Sequence, residues 1–437
     1  MKGKPLEMSL LFDFYGETLT EKQRELFDLY YNEDLSLAEI AEHAGITRQG
    51  VRDSIKRGEA QLLEMEQKLG LMARIRALEQ ALADGALGVS LGLGYAPECF
   101  YTTEELIRAL QPIAGQDVPV TVHMRQEGGG VCQSVEEMLA VARALETPVE
   151  ISHLKAIGRR NWRRAVPNML RAMEKARAEG LDVSCDVYPY SAGSTQLIHV
   201  LPSEFQAGGT ETLTKRLRDR AAREEMRARM ETGSDFENIT LLVGFENVVA
   251  IGLRTDEYRS FEGKSIAEIA LALGKDPYDA LFDLLAAEKC EAGMIDYISD
   301  EEDLKAILRA PFSGVISDAT YPGAGQVHPR VYGAFARLIE KYVVREKVLT
   351  LEQAVHKVTL QAAERFSLAG KGKIEVGADA DLLLFAPEKI RERGTYLTPK
   401  ACASGFDEVF VLGERVIENG EYRGGSSGEM LGLRMEY

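Results

Sequence analysis

Among the 437 residues, the side chains best able to do chemistry sit at the ends of short apolar runs. VPVTVHMR (118–125) closes on His123 and Arg125, and PVEISHLK (148–155) closes on His153 and Lys155. LDVSCDVYP (181–189) holds Tyr188 with Tyr190 just beyond it, and GVISDA (314–319) carries Asp318. A lone histidine in a loop is more often a hydrogen-bonded polar residue than a ligand. Repetition changes that weighting, because polar residues at the C-terminal strand ends of a parallel α/β barrel build its active site. An imidazole and a carboxylate placed there suit metal-assisted hydrolysis, in which a divalent ion activates water and Asp318 carries the proton to the leaving group. Lys155 and Arg330 add cations that can hold a substrate carboxylate.

Two other motifs compete and are weaker. GVSLG (88–92) fits the G-x-S-x-G nucleophile elbow, with Asp318 and then His328 or His356 in the Ser, Asp, His order. An elbow needs a helix directly after Ser90, whereas Leu93 to Pro97 reads as a loop. QEGGGV (126–131) lacks the Gly-Lys-Ser/Thr ending of a phosphate loop and reads as a turn beside the site.

The elements that must position these groups alternate between strand-like and helix-like runs from residue 72 onward, the pattern of βα units. Six strands are expected: 85–93, 118–125, 148–155, 181–189, 239–244 and 314–319. Near the C-terminus, GKIEVGADADLLLF and DEVFVLGERVIENGEY alternate and turn at Gly377, Gly413 and Gly420, as the hairpins of a small β-sandwich do. With 45% hydrophobic and 28% charged residues the composition is that of a globular protein, and no apolar run is long enough for a membrane span. The N-terminus fails as a signal peptide, so a cytoplasmic location is expected. Five cysteines, odd in number and without a CxxC, indicate reduced thiols. A net charge of -17 requires any nucleic-acid binding to be local.

Before residue 72 the texture is purely helical. LTEKQRELFDLYY (19–31) sets Leu19, Leu26, Phe27, Leu29 and Tyr30 on one stripe behind a Thr20 cap. Ser36 caps a second helix that stops at Gly45, and Thr47 caps a third, which is expected to run on unbroken through residues 69–74. In the third helix Val51, Ile55, Leu62 and Leu69 face inward, while Arg48, Gln49, Arg52 and Lys56 face outward. That is the layout of a recognition helix, with an ordinary solvated helix face as the alternative.

The segment from Met8 to Leu71, with LFDFY, LYY, SLAEIAE and the RQ-V-D-IKR-E spacing in order, resembles the small YlxM-type helix-turn-helix proteins. The resemblance implies a regulatory role with nucleic acid or a component of the signal recognition particle as partner. Residues 73–435 resemble the N-acyl-D-amino-acid deacylases (D-aminoacylases) of the amidohydrolase superfamily. The blocks GALGVSLGLGYAPECFYTTEEL, HMRQEG, ISHLKAIGRRNW, DVYPYSAGSTQL, GVISDA, HPRVYGAFARL, AVHKVTLQAAERFSL and GKIEVGADADLLLFAPEKI follow in family order. This second resemblance implies a zinc-dependent hydrolase acting on the linear amide of an N-acyl-D-amino acid. It makes His153 and Asp318 metal ligands, Asp318 the catalytic proton carrier, and Tyr95, Lys155, Tyr190 and Arg330 substrate-binding residues.

The family's HxH pair and its metal-binding cysteine have no counterpart among the six histidines and five cysteines, and Cys99 lies in a later block. The expected fold is therefore α/β: an incomplete (β/α)8 amidohydrolase barrel over 72–370 and a partial β-sandwich over 371–437, preceded by an all-α helix-turn-helix domain over 1–71. The whole reads as a fusion of two genes with its seam at Leu69 to Arg74. A catalytic zinc normally takes three protein ligands, so impaired hydrolysis is expected, with a non-catalytic appendage to a helix-turn-helix regulator as the alternative. The open sheet edges favour an oligomer.

Overall fold

The structure, a computed structural model, describes residues 6–321 and 325–431. Contacts divide the chain into two compact units. One holds the described residues up to Ala86 together with Tyr101–Ala114, and the other holds Leu87–Phe100 and the described residues from Gly115 onward.

The first unit is helical: α1 (Leu6–Tyr15), α2 (Glu21–Tyr31), α3 (Leu37–Ala44), α4 (Arg48–Leu69), α5 (Leu71–Ala83) and α6 (Thr103–Ala109). Thr20 and Ser36 form reciprocal capping boxes with Gln23 and Glu39, which satisfy backbone donors that would otherwise be unpaired at each helix start. Leu11, Leu26, Phe27, Ile40, Val51, Ile55 and Leu62 make the core, as the helical spacing requires; Leu29 and Tyr30 pack at its margin. Leu69's side chain lies outside the described residues. The long third helix is not continuous. Gly70 turns left-handed (φ 64°) and closes α4, and Glu66 reaches forward to accept the α5 backbone N–H groups of Met72 and Ala73, both at 3.1 Å, and the Tyr15 hydroxyl at 2.8 Å. Tyr101, arriving from beyond the next strand, is buried in the same core under the Arg74 guanidinium, and Arg108 donates to the Phe14 carbonyl at 2.9 Å.

In the second unit five strands lie parallel in the order β1 (Val89–Gly92), β2 (Val120–His123), β3 (Val149–Ile151), β4 (Val183–Val187) and β8 (Ser313–Val315). Most of their β-branched residues are buried: Val120, Val122, Val149, Ile151 and Val183 expose nothing. Helices α7 (Val131–Leu145) and α8 (Ala165–Ala178) pack against one another beside this sheet. Inserted between β4 and β8 is an antiparallel three-stranded sheet in the order β5 (Ala192–Gln196), β7 (Gly293–Tyr297), β6 (Val248–Ile251). None of these three is among the expected strands. The expected strand at 239–244 is instead a short helix, Ile239–Val243, begun by the Asn238 side chain accepting from Leu241 N–H. An apolar run that short carries no period to separate helix from strand.

The C-terminal part is one four-stranded antiparallel sheet in the order β12 (Glu421–Tyr422), β11 (Glu414–Glu418), β10 (Phe406–Val411), β9 (Leu382–Phe385). Leu412–Gly413 and Asn419–Gly420 turn its hairpins with positive φ at both positions, the conformation that a two-residue hairpin matched to strand twist demands. Among the described residues β9 has β10 as its one neighbour, and its Leu383 remains 55% exposed. A groove of about 910 Å³, lined by Leu338, Val358, Ala362, Leu382, Phe385 and Val409, runs beside it. No helix among the described residues is long and apolar enough to cross a membrane.

Candidate functional site

The C-terminal ends of the parallel strands converge on one cavity of about 140 Å³. His123 is the last residue of β2. His153 follows β3 by two residues and Asp318 follows β8 by three, both with left-handed backbones (φ 40° and 47°). Such conformations cost energy in residues other than glycine and persist where surrounding bonds enforce them. At His153 the enforcing bond is visible: Asp186 of β4 accepts its backbone N–H at 2.5 Å. Asp186 is buried against Glu150, and burial first, then that neighbouring charge, raises its carboxyl well above the usual range. It sits under the site as a support for the His153 backbone.

His123 Nδ1 faces His153 Nε2 at 3.1 Å. The other ring nitrogen of His153 lies 3.0 Å from Glu127 Oε1 and 2.9 Å from Lys155 Nζ, and Lys155 Nζ is 2.7 Å from the same Glu127 oxygen. Burial brings His123 down to about 3, against the pull of Glu127, so its imidazole is neutral at pH 7. Burial raises Glu127, but Lys155, His123 and His153 outweigh it and hold the carboxyl below its usual range. The Tyr95 ring stacks on His123 with centroids 4.4 Å apart and stands beside His199. Gly94 permits this approach, since a Cβ there would come within 2.7 Å of His123 Nε2.

Donor atoms of His123, Glu127 and His153 all fall within 4.8 Å of one another. Two imidazoles and a carboxylate make a three-ligand His₂Glu set, one that catalytic zinc sites use. The donor set therefore fits a single divalent ion, and the Lys155 ammonium, drawn in against Glu127 and His153, marks where positive charge is favoured.

On the opposite wall Arg330 is 1% exposed, with Nη1 2.8 Å from Asp318 Oδ2, Nη2 donating to the Ser194 carbonyl at 2.9 Å, and its guanidinium over the Tyr188 ring at 4.6 Å. Of the residues singled out from sequence, Tyr95, His153, Lys155, Asp318 and Arg330 line this one cavity. Tyr190 is not among the lining residues: its hydroxyl donates to Glu392 at 2.7 Å, and Tyr188 lines the wall in its place. Asp318 pairs with Arg330 and stands outside the donor trio. Sequence reasoning had His123 at a strand end but gave it no ligand role, and it passed over Glu127, His199, Glu237 and Asp296, which also line the cavity. The signal for His123 was available in its place at the end of β2, as for His153 just beyond β3. Ser90 lies in mid-strand in β1, paired with Thr121, where no nucleophile elbow can form.

In the first unit Arg48, Gln49, Arg52 and Lys56 are exposed along α4 while Val51 and Ile55 behind them are buried. Gln49 is tied to Asp53 at 2.9 Å.

Comparison with known proteins separates the same two parts. A family model described as helix-turn-helix protein, YlxM / p13 like, matches residues 2–84, and the Amidohydrolase family model matches residues 75–401. The UPF0122 protein of Acetivibrio thermocellus is 57% identical over 81 residues, 17% of this chain and 69% of that protein. D-aminoacylase of Alcaligenes xylosoxydans xylosoxydans is 31% identical over 353 residues, 81% of this chain. The chain spans 63% of that relative's length. The crystal structure of N-acyl-D-glutamate deacylase from Bordetella bronchiseptica, complexed with zinc and a phosphonate inhibitor that mimics the tetrahedral intermediate, superposes with a TM-score of 0.65. It is 31% identical and covers 79% of this chain and 63% of that one.

Proposed function

Because the chain belongs to the amidohydrolase family over residues 75–401, and to the YlxM / p13 like helix-turn-helix family at its N-terminus, we propose that the cavity hydrolyses the amide of an N-acyl-D-amino acid. The observation that carries this reading is the His123–His153 pair, 3.1 Å apart, lining the same cavity as the Asp318–Arg330 pair. His123, His153 and Glu127 would hold a zinc ion, which supplies Lewis acidity and makes water a competent nucleophile near neutral pH. Asp318 takes a proton from the attacking water and passes it to the leaving nitrogen as the C–N bond breaks, giving a carboxylate and a free D-amino acid. Arg330 and Lys155 bind the α-carboxylate, and the Tyr95 ring closes the cavity beside His123.

Counting from sequence left two donors, His153 and Asp318, and hence impaired hydrolysis. The His123, Glu127, His153 trio supplies three without the HxH pair or the cysteine. The reading is accordingly of a single-metal site. The full chain, purified with zinc present, is expected to hold about one zinc per chain by elemental analysis and to release free amine from N-acetyl-D-amino acids but not from their L-enantiomers. Metal-replete protein without turnover on any such substrate would refute it.

For the first unit the exposed Arg48, Arg52 and Lys56 face, backed by buried Val51 and Ile55, favours nucleic-acid contact, in a DNA duplex or in a ribonucleoprotein such as the signal recognition particle. Arg48→Ala with Arg52→Ala is expected to weaken binding and to lower the slope of log affinity against log salt by about one per cation removed. Fluorescence anisotropy with duplex DNA and with structured RNA reads both quantities. Unchanged affinity and slope would show that these arginines are only a solvated face. The five cysteines are all free thiols, which suits a reducing compartment such as the cytoplasm.

A further inference from the structure

Four carboxylates line the cavity, and three of them have their partners inside the protein. Glu127 holds Lys155 at 2.7 Å. Asp318 holds Arg330 at 2.8 Å. Glu237 accepts the backbone N–H groups of Glu127 and of Gly128, the latter at 3.0 Å. The fourth, Asp296 on β7, is 3% exposed, and its Oδ1 has no hydrogen-bond partner among the described residues. Neither Lys155 nor Arg330 forms an ion pair with Asp296 among the described residues, and Arg330 keeps a buried Nε without a hydrogen-bond partner, open to a substrate carboxylate. Lys155 is held by Glu127 and His153, and Arg330 by Asp318, the Ser194 carbonyl and the Tyr188 ring.

A buried, unpartnered carboxylate oxygen is costly, so its retention calls for a group that completes it on binding. The wall next to Asp296 is kept open for such a group. Gly193 of β5 pairs directly with Asp296, and a Cβ at that position would come within 2.7 Å of Asp296 Oδ1 and 2.8 Å of Ile298 Cδ1. The resulting recess has an acid at its base and Tyr188 and Ile298 at its sides. An extended alkyl stem ending in a cation fits both features: the stem packs on the apolar side walls and the charged tip meets the carboxylate.

We propose that Asp296 is a specificity-determining residue that selects N-acyl-D-amino acids whose side chain ends in an ammonium or guanidinium group. This rests on the deacylase reading above and narrows it to one substrate class. The α-carboxylate goes to Arg330 and Lys155, and the side-chain cation to Asp296, so the two charged ends of the substrate are sorted by the signs of the groups that receive them.

The test needs no turnover. N-methanesulfonyl-D-lysine and N-methanesulfonyl-D-norleucine carry a sulfonamide in place of the scissile amide, and they differ at the side-chain terminus, an amine in one and a methyl in the other. Calorimetric titration of the full chain is expected to show the lysine compound binding at least about tenfold more tightly, since a site built around an unpaired polar group rejects analogues that cannot pair with it. Asp296→Asn, close in shape, is expected to erase that preference while leaving norleucine binding in place. Equal or tighter binding of the norleucine compound by the parent protein would overturn the assignment of Asp296 and leave the deacylase reading standing. Failure of the parent to bind either compound would overturn both.

Discussion

Protein carrying His123→Ala and His153→Ala is expected to purify without zinc and to lose hydrolysis by at least about a thousandfold, because water without a metal keeps a pKa near 15.7. The two imidazoles face each other at 3.1 Å, and burial keeps His123 neutral, so their removal leaves Glu127 alone of the trio. Asp318→Asn is expected to behave differently. Its carboxylate pairs with Arg330 and stands apart from the donor trio, so zinc is retained while turnover falls by about 10²–10⁴-fold, the range associated with a lost general acid–base. Elemental analysis and amine release, measured on the same samples, separate the two roles. Loss of zinc from Asp318→Asn would make that residue a ligand, and zinc retained in the double variant would move the metal elsewhere.

The second large effect concerns stability. Lys155→Met is expected to cost about 3–5 kcal/mol, the penalty for breaking one side of a buried ion pair. Lys155 and Glu127 are both buried and lie 2.7 Å apart, and Lys155 also bonds the His153 carbonyl at 3.0 Å. The pH dependence has a defined sign. Glu127 is held below the usual carboxylate range in the folded protein, so the pair stabilises fully above the unfolded value of about 4.3 and loses that contribution as pH falls toward the folded value. With Lys155 gone, burial dominates and the carboxyl rises, so the deficit relative to the parent should be larger at pH 7 than at pH 4.5. Urea unfolding at the two pH values measures it. A loss under about 1 kcal/mol at pH 7, or one that shrinks with rising pH, would show that the pair is not the anchor described.

Much of the site was legible because strand ends in a parallel sheet share one face. His153, Lys155 and Asp318 could be placed together from their position after valine- and isoleucine-rich runs, Arg330 was named beside Lys155 as a second cation, and Tyr95 followed from the family resemblance. The remainder depended on geometry that spacing does not encode. Glu127 reaches the donor trio through the turn at QEGGGV, where no repeat marks an inward-pointing side chain. Asp296 was hidden because β5 and β7 face each other across about a hundred intervening residues, and only the folded sheet sets Gly193 opposite it. Local chemistry was easier to read than long-range pairing: the Thr20, Ser36 and Thr47 caps and the Asn419–Gly420 turn are all where the sequence puts them. Gly70 was the exception, a left-handed residue inside an otherwise helical pattern, where a glycine is compatible with continuation or with a break.

The helical unit that includes Tyr101 and Arg108 in its packing also fixes an order of events during synthesis. Its core is not yet complete when Leu71 leaves the ribosome, because the ring that packs beneath Arg74 lies thirty residues downstream, about 2 to 6 seconds later at usual elongation rates. By then β1 has already been made. No single protease cut can therefore release this unit whole, and a fragment ending at the seam between the two gene-like halves would expose to water the side chains that Tyr101 covers. Two family likenesses meet at one place in the chain, but the helical body draws on two separate stretches of it.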